Sequence, residues 1–168
     1  MKCFPDNGTR IGMWSLTIAV IALAGCTITQ TVNPISIAAG SEICIIENSE
    51  VRAGFLDTVQ QVLTENGYRY RLLATGVSPS YCPVTLTYTA RWSWDLSLYM
   101  SYARLQAFQN GHPAGNALYD STKGSGNMKK FIDAEPKIKE LVEQLFPRHC
   151  EQSAPGCPDV AVSRRDGR

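Results

Sequence analysis

Apolar and polar residues alternate without a break from Val84 to Trp94. Val84, Leu86, Tyr88, Ala90, Trp92 and Trp94 occupy one parity. Thr85, Thr87, Thr89, Arg91 and Ser93 occupy the other. A strand sends successive side chains to opposite faces, so this pattern predicts a long strand with one apolar and one wet face. Antiparallel sheets solvated on one side carry such strands. The run Leu98 to Phe108 is less decided between strand and helix; its aromatic content and Asn110-Gly111, a pair suited to a tight hairpin, tip it to a second strand. Ala114 to Asp120 then returns as an edge strand, with Pro113 just before it.

Elsewhere the period changes. Glu42 to Asn48 is a short β-branched run suited to a buried strand. After it Val51, Phe55, Val59, Val62 and Leu63 recur at helical spacing, with Asn48 or Ser49 as N-cap. Asn66-Gly67 stops that helix, and Tyr68 to Leu73 follows as a strand. A second apolar stripe runs through Phe131, Ala134, Ile138, Leu141, Val142 and Leu145. Pro136 interrupts it, so the regular helix either starts near Glu135 or kinks. The prediction is an α+β fold: one mixed sheet in the order β-α-β-β-β-β-α, with two helices packed on one face.

The first segment differs from the rest. Lys2 and Arg10 outweigh Asp6, and Ile11 to Gly25 carries no charge. A basic region before an apolar one that closes on small residues is the pattern of a secretory signal. Read as a retained helix, fifteen residues reach only about 22 Å, short of a bilayer core of roughly 30 Å. Leu23-Ala24-Gly25-Cys26 resembles the lipobox of bacterial lipoproteins, in which the cysteine sulfur receives a diacylglyceryl group and the signal is cut before it. That resemblance implies lipidation at Cys26. Thr27 rather than an aspartate follows, which by the same resemblance implies the outer membrane, with the domain on its periplasmic face. The expected organisation is residues 1–25 as signal, 26–41 as tether, 42–147 as the domain and 148–168 as a mobile tail.

Composition narrows the function. The 168-residue chain has formal net charge +1, which falls to 0 if residues 1–25 leave. A nucleic-acid partner is not expected from that balance. Four cysteines remain after Cys26, an even number that reads as disulfides in an oxidising compartment. Cys44 with Cys82 is the expected pair, and Cys150 with Cys157 the candidate second one.

Several segments together resemble a family of small bacterial lipoproteins with no assigned activity. They are "EICIIEN", "GFLD", "YTARWSWDLSLYM", "GNMKKF" and "KIKELVEQLFP", spanning about Glu42 to Pro147. The element order is also similar to envelope domains of curli secretion and the Tol system, an analogy of fold only. The resemblance implies an envelope protein and names no chemistry.

Catalytic and metal motifs are weak. The two histidines, His112 and His149, fall in a turn and in the tail, and Asp95 has no second carboxylate near it in sequence. A nucleophile needs a positioned base, so no catalytic residue is assigned. His149, Cys150 and Cys157 match no structural zinc spacing, and neither metal nor cofactor is expected. "KGSGNMKKF" lacks the phosphate-loop spacing and reads as a helix entry. The leading expectation is a non-enzymatic envelope module, held to the membrane by its N-terminal lipid and contacting an envelope protein. Its partner face would be Thr85, Thr87, Thr89 and Arg91. A glycan- or small-ligand-binding domain using Tyr88, Trp92 and Trp94 is the alternative, though such a row more often packs in a core.

Overall fold

A computed structural model describes residues 28–38, 40–123, 128, 131 and 133–148. Among these, six strands form one mixed sheet and two helices pack against it. In chain order the elements are β1 (Thr29–Asn33), β2 (Glu42–Ile46), α1 (Ala53–Glu65) and β3 (Arg69–Leu73). Then come β4 (Val84–Asp95), β5 (Ser97–Gln109), β6 (His112–Asp120) and α2 (Ala134–Leu145). The strand order is β1-β6-β5-β4-β2-β3. β2 is parallel to β3 and β4, and every other pairing is antiparallel. This is the α+β architecture that the alternation and the two helical stripes predict.

The stripes do as their spacing requires. Phe55, Val59, Val62 and Leu63 of α1 and Ile138, Leu141, Val142 and Leu145 of α2 are buried in one cluster with Leu86, Tyr88, Ala103 and Leu105. Both helices therefore lie on the Val84 to Ala90 face of the sheet. Asn66 and Gly67 close α1 with two backbone bonds, Gly67 N to Thr64 O (3.0 Å) and Tyr68 N to Leu63 O (2.9 Å). Gly67 has φ +83°, the left-handed value such a cap demands. The Asn66 side chain then donates to Phe146 O at 2.8 Å, joining the ends of the two helices. Pro136 falls in the first turn of α2, where its missing N–H costs nothing.

Four expectations are corrected. First, the segment read as tether is partly structural. Thr29–Asn33 pairs with β6, so Ala114 to Asp120 is no sheet edge. Ile35 and Ile37 enter the core, and Ile35 N donates to Leu145 O at 3.0 Å. Gly115 makes room for this: a Cβ there would stand 3.0 Å from Asn33 O and 3.1 Å from the Ile35 side chain. Burying each isoleucine contributes roughly 2 kcal/mol, which with the hydrogen bonds of the β1–β6 pairing offsets the entropy of ordering the segment. Second, α1 begins at Ala53 with no side-chain cap. Asn48 is instead committed to β4, donating Nδ2 to Tyr88 O at 3.1 Å. Third, Phe131 precedes α2 and packs edge-on against Tyr99, with centroids 5.2 Å apart, so it does not belong to the helical stripe. The fourth correction concerns β4 itself.

Candidate functional site

β4 and β5 are the longest strands, and they pair along their whole length, from Val84 with Gln109 to Asp95 with Ser97. β2 pairs with β4 only at Thr85 and Leu86. Past the Arg91–Tyr102 pair the register shifts, and the two strands continue as an arm. Ser101 lies at the irregularity. Its hydroxyl donates to Arg91 O (3.2 Å) and accepts from Ser93 Oγ (2.8 Å). Hydrogen bonds of this kind replace the interrupted ladder and hold the bend.

The bend divides the aromatic row. Tyr88 belongs to the core: its ring stacks on Phe55 at 5.3 Å, and its hydroxyl accepts from Asn48 N at 3.2 Å. Burial pushes the phenol pKa up, the Asn48 bond opposes that, and Glu47 adds to it. Trp92 is partly buried beneath Arg52, whose guanidinium carbon is 5.3 Å from the indole centroid. Trp94 is 74% exposed. The expected apolar face thus ends at Trp92 and does not include Trp94.

The other face of β4 is also less uniform than predicted. Thr85 is fully buried and its Oγ1 has no partner, so it cannot belong to a wet face. The cause is the Cys44–Cys82 disulfide. Cys44 is beside Thr85 in the sheet, and the bond to Cys82, with Cα atoms 6.2 Å apart, brings the segment before β4 over this end. Both cysteines are buried. The expected pair therefore forms, although Cys82 stands before β4 and Cys44 in the middle of β2.

Thr87, Thr89 and Arg91 do lie on the uncovered part. Thr87 is partly exposed, and Thr89 and Arg91 are exposed. Register adds partners that the sequence reading missed. Thr87 is level with Gln106, Asn116 and Asn33; Thr89 with Arg104, Leu118 and Thr31; Arg91 with Tyr102, Asp120 and Thr29. Their signal was present, because Tyr102, Arg104 and Gln106 alternate with Ala103, Leu105 and Ala107. Asn33 Nδ2 donates to Asn116 Oδ1 at 2.8 Å, and the Arg91 guanidinium lies 4.7 Å from the Tyr102 centroid. Arg104, Gln106, Asn33 and Asn116 border a shallow depression of about 350 Å³. At the far row the Thr122 hydroxyl and amide both donate to Asp120, holding its carboxyl below the ordinary value. This surface is polar, with both charge signs present. It can offer hydrogen bonds to a protein or a polar ligand.

His112 is exposed at the start of β6. Among the described residues no three of His, Cys, Asp and Glu converge as metal ligands. Cys26, His149, Cys150 and Cys157 lie outside the described residues, as does most of "KGSGNMKKF". No described helix is long and apolar enough to cross a membrane.

No protein-family model matches the chain, and no curated protein matches it in sequence. The solved structures it is similar to include two of the PelC dodecamer from Paraburkholderia phytofirmans. A point variant of it shares 12% identity with a TM-score of 0.46, covering 71% of this chain and 94% of that one. A second crystal form shares 10% with a TM-score of 0.40, covering 71% and 95%.

Proposed function

We propose that this chain is a lipid-anchored protein of the bacterial outer membrane, with a periplasmic domain that serves as a non-enzymatic interaction module. The anchor reading rests on Leu23-Ala24-Gly25-Cys26 and the charge-free run before it. The buried Cys44–Cys82 bond supports it, since such bonds persist in oxidising compartments. For the module, the observation that carries the reading is the open sheet face. Thr87, Thr89, Arg91, Arg104 and Gln106 form an array across two paired strands, with Thr89, Arg91 and Arg104 exposed and Thr87 and Gln106 partly so. A near-neutral domain would meet its envelope partner without strong electrostatic steering.

Glycan stacking finds less support. Tyr88 is in the core and Trp92 is partly covered, so the expected aromatic platform is reduced to one open indole, Trp94.

Growth with radiolabelled palmitate tests the anchor. Label is expected in the wild type and not in Cys26→Ser, and it should fractionate with the outer membrane. Equal labelling of both proteins would end this reading.

A further inference from the structure

The arm carries apolar residues that folding does not ask for. Trp94 and Leu98 are directly opposite each other, 74% and 46% exposed, and Leu96 at the apex is 82% exposed. Leu96 also has φ +59°. A bulky side chain is disfavoured in that region, where glycine or asparagine would relax the turn and keep it soluble. Met128 is a further large exposed apolar residue. Phe131, whose N–H donates to Met128 O, packs on Tyr99 in the same arm. Isolated exposed apolar residues need no explanation, but a strained and clustered set at a projecting tip does.

The register says where the tip points. Thr29, Asp120, Tyr102 and Arg91 are level across four strands. From that row the chain leaves β1 backwards toward Cys26, and β4 runs forwards in the same direction, because three antiparallel pairings separate the two strands. Cys26 is three residues from the row and can lie no more than about 10 Å beyond it. Leu96 is five residues past Arg91, about 16 Å at strand rise. Ile28, where the described chain begins, and the apolar tip therefore stand at the same end of the domain.

From this geometry we infer that the Trp94–Leu96–Leu98 tip inserts into the lipid layer that holds the anchor, as a second contact that fixes the domain's orientation. This rests on the lipid anchor at Cys26 proposed above. Indoles favour the boundary between headgroups and acyl chains, where one end of the ring is apolar and the other wet. A second contact adds to what an acylated terminus supplies alone. Arg52, Arg91 and Lys123 stand behind the tip, and Glu50, Asp95, Asp120 and Glu135 are acidic groups of the same end. The mixed charge makes insertion apolar in origin, so zwitterionic lipid suffices. With Arg91 at the base of the arm and the tip in lipid, the strands Val84 to Arg91 stand away from the membrane and the Thr87–Thr89 face stays free.

The full-length protein isolated from palmitate-labelled cells, reconstituted into phosphatidylcholine vesicles with or without bromine on the acyl chains, tests the inference. Brominated lipid should lower the tryptophan emission of the wild type, and Trp94→Ser should lose most of that lowering. Trp92→Phe should retain it, and this variant decides the matter if Trp94→Ser fails to fold. Emission that is the same in both vesicles overturns the inference. So does equal quenching of wild type and folded Trp94→Ser, or emission that responds to a soluble oligosaccharide and not to brominated lipid. Labelled protein with an unquenched Trp94 removes the tip contact alone; unlabelled protein removes the anchor and the tip together.

Discussion

The near and far halves of the β4–β5 hairpin continue one alternating pattern and meet opposite fates. In the near half Leu86, Tyr88, Ala90, Ala103 and Leu105 are buried under two helices, while Thr85 on the reverse is buried by the disulfide segment. In the far half Met100 and Tyr99 are still buried, but Trp94, Leu96 and Leu98 beyond them are exposed, although they are as apolar as anything nearer. Alternation assigns a side chain to a face. Whether that face is covered depends on where the helices begin, and Gly54 near the start of α1 and Ala134 at the start of α2 line one depression with Trp92. The near half is therefore held by burial, and the far half has apolar surface to spare for a contact.

Substitutions should separate the halves in order of size. Removing the staple of the near half with Cys44→Ala and Cys82→Ala together should cost about 4 kcal/mol, from the chain-entropy model for a 38-residue separation. Denaturant midpoints read this directly, and an unchanged midpoint would place the stabilisation elsewhere. Leu86→Ala should cost about 3 kcal/mol, since Leu86 is fully buried and its removal leaves a cavity. Trp92→Ala, at the boundary, should cost about 2 kcal/mol, because the indole packs on the core but is only partly covered. A loss equal to that of Leu86→Ala would move the boundary outward to include it.

The far half should behave in the opposite way. Leu96→Gly should hold or raise stability, by roughly 0.5 kcal/mol, because relief of a left-handed leucine outweighs the added flexibility of the unfolded chain. A thermal midpoint several degrees lower would show that the apex is packed after all. The smallest effect is expected at Asp120. Its carboxyl ionises more readily in the folded chain, owing first to the Thr122 hydroxyl and then to the Thr122 amide. Its contribution is present at neutral pH and is lost as pH falls from the ordinary carboxylate range through the lowered folded value. Asp120→Asn should cost under about 0.5 kcal/mol at pH 7, solvent screening keeping it small, and the two proteins should converge in acid. A gap that persists at low pH would assign the effect to shape and not to charge.

Local chemistry made much of the fold legible. The period-two run from Val84, the two helical stripes, the Asn66-Gly67 stop and the Asn110-Gly111 turn each act over a few residues. The structure repeats them, with φ +52° at Asn110 and +80° at Gly111. The candidate face was legible at Thr87, Thr89 and Arg91 by the same parity. What tertiary structure alone decided was coverage. Thr29–Asn33 has the composition of a tether and becomes a strand because β6 offers an edge and Gly115 lets Ile35 close over it. Thr85 has the parity of a wet residue and is buried because a disulfide draws a distant segment across it. Trp94 has the parity of a core residue and is exposed because the sheet outruns its helices. Periodicity is a property of the backbone and is written in adjacent residues. Burial is a property of what arrives from elsewhere in the chain, and it is settled only when the elements meet.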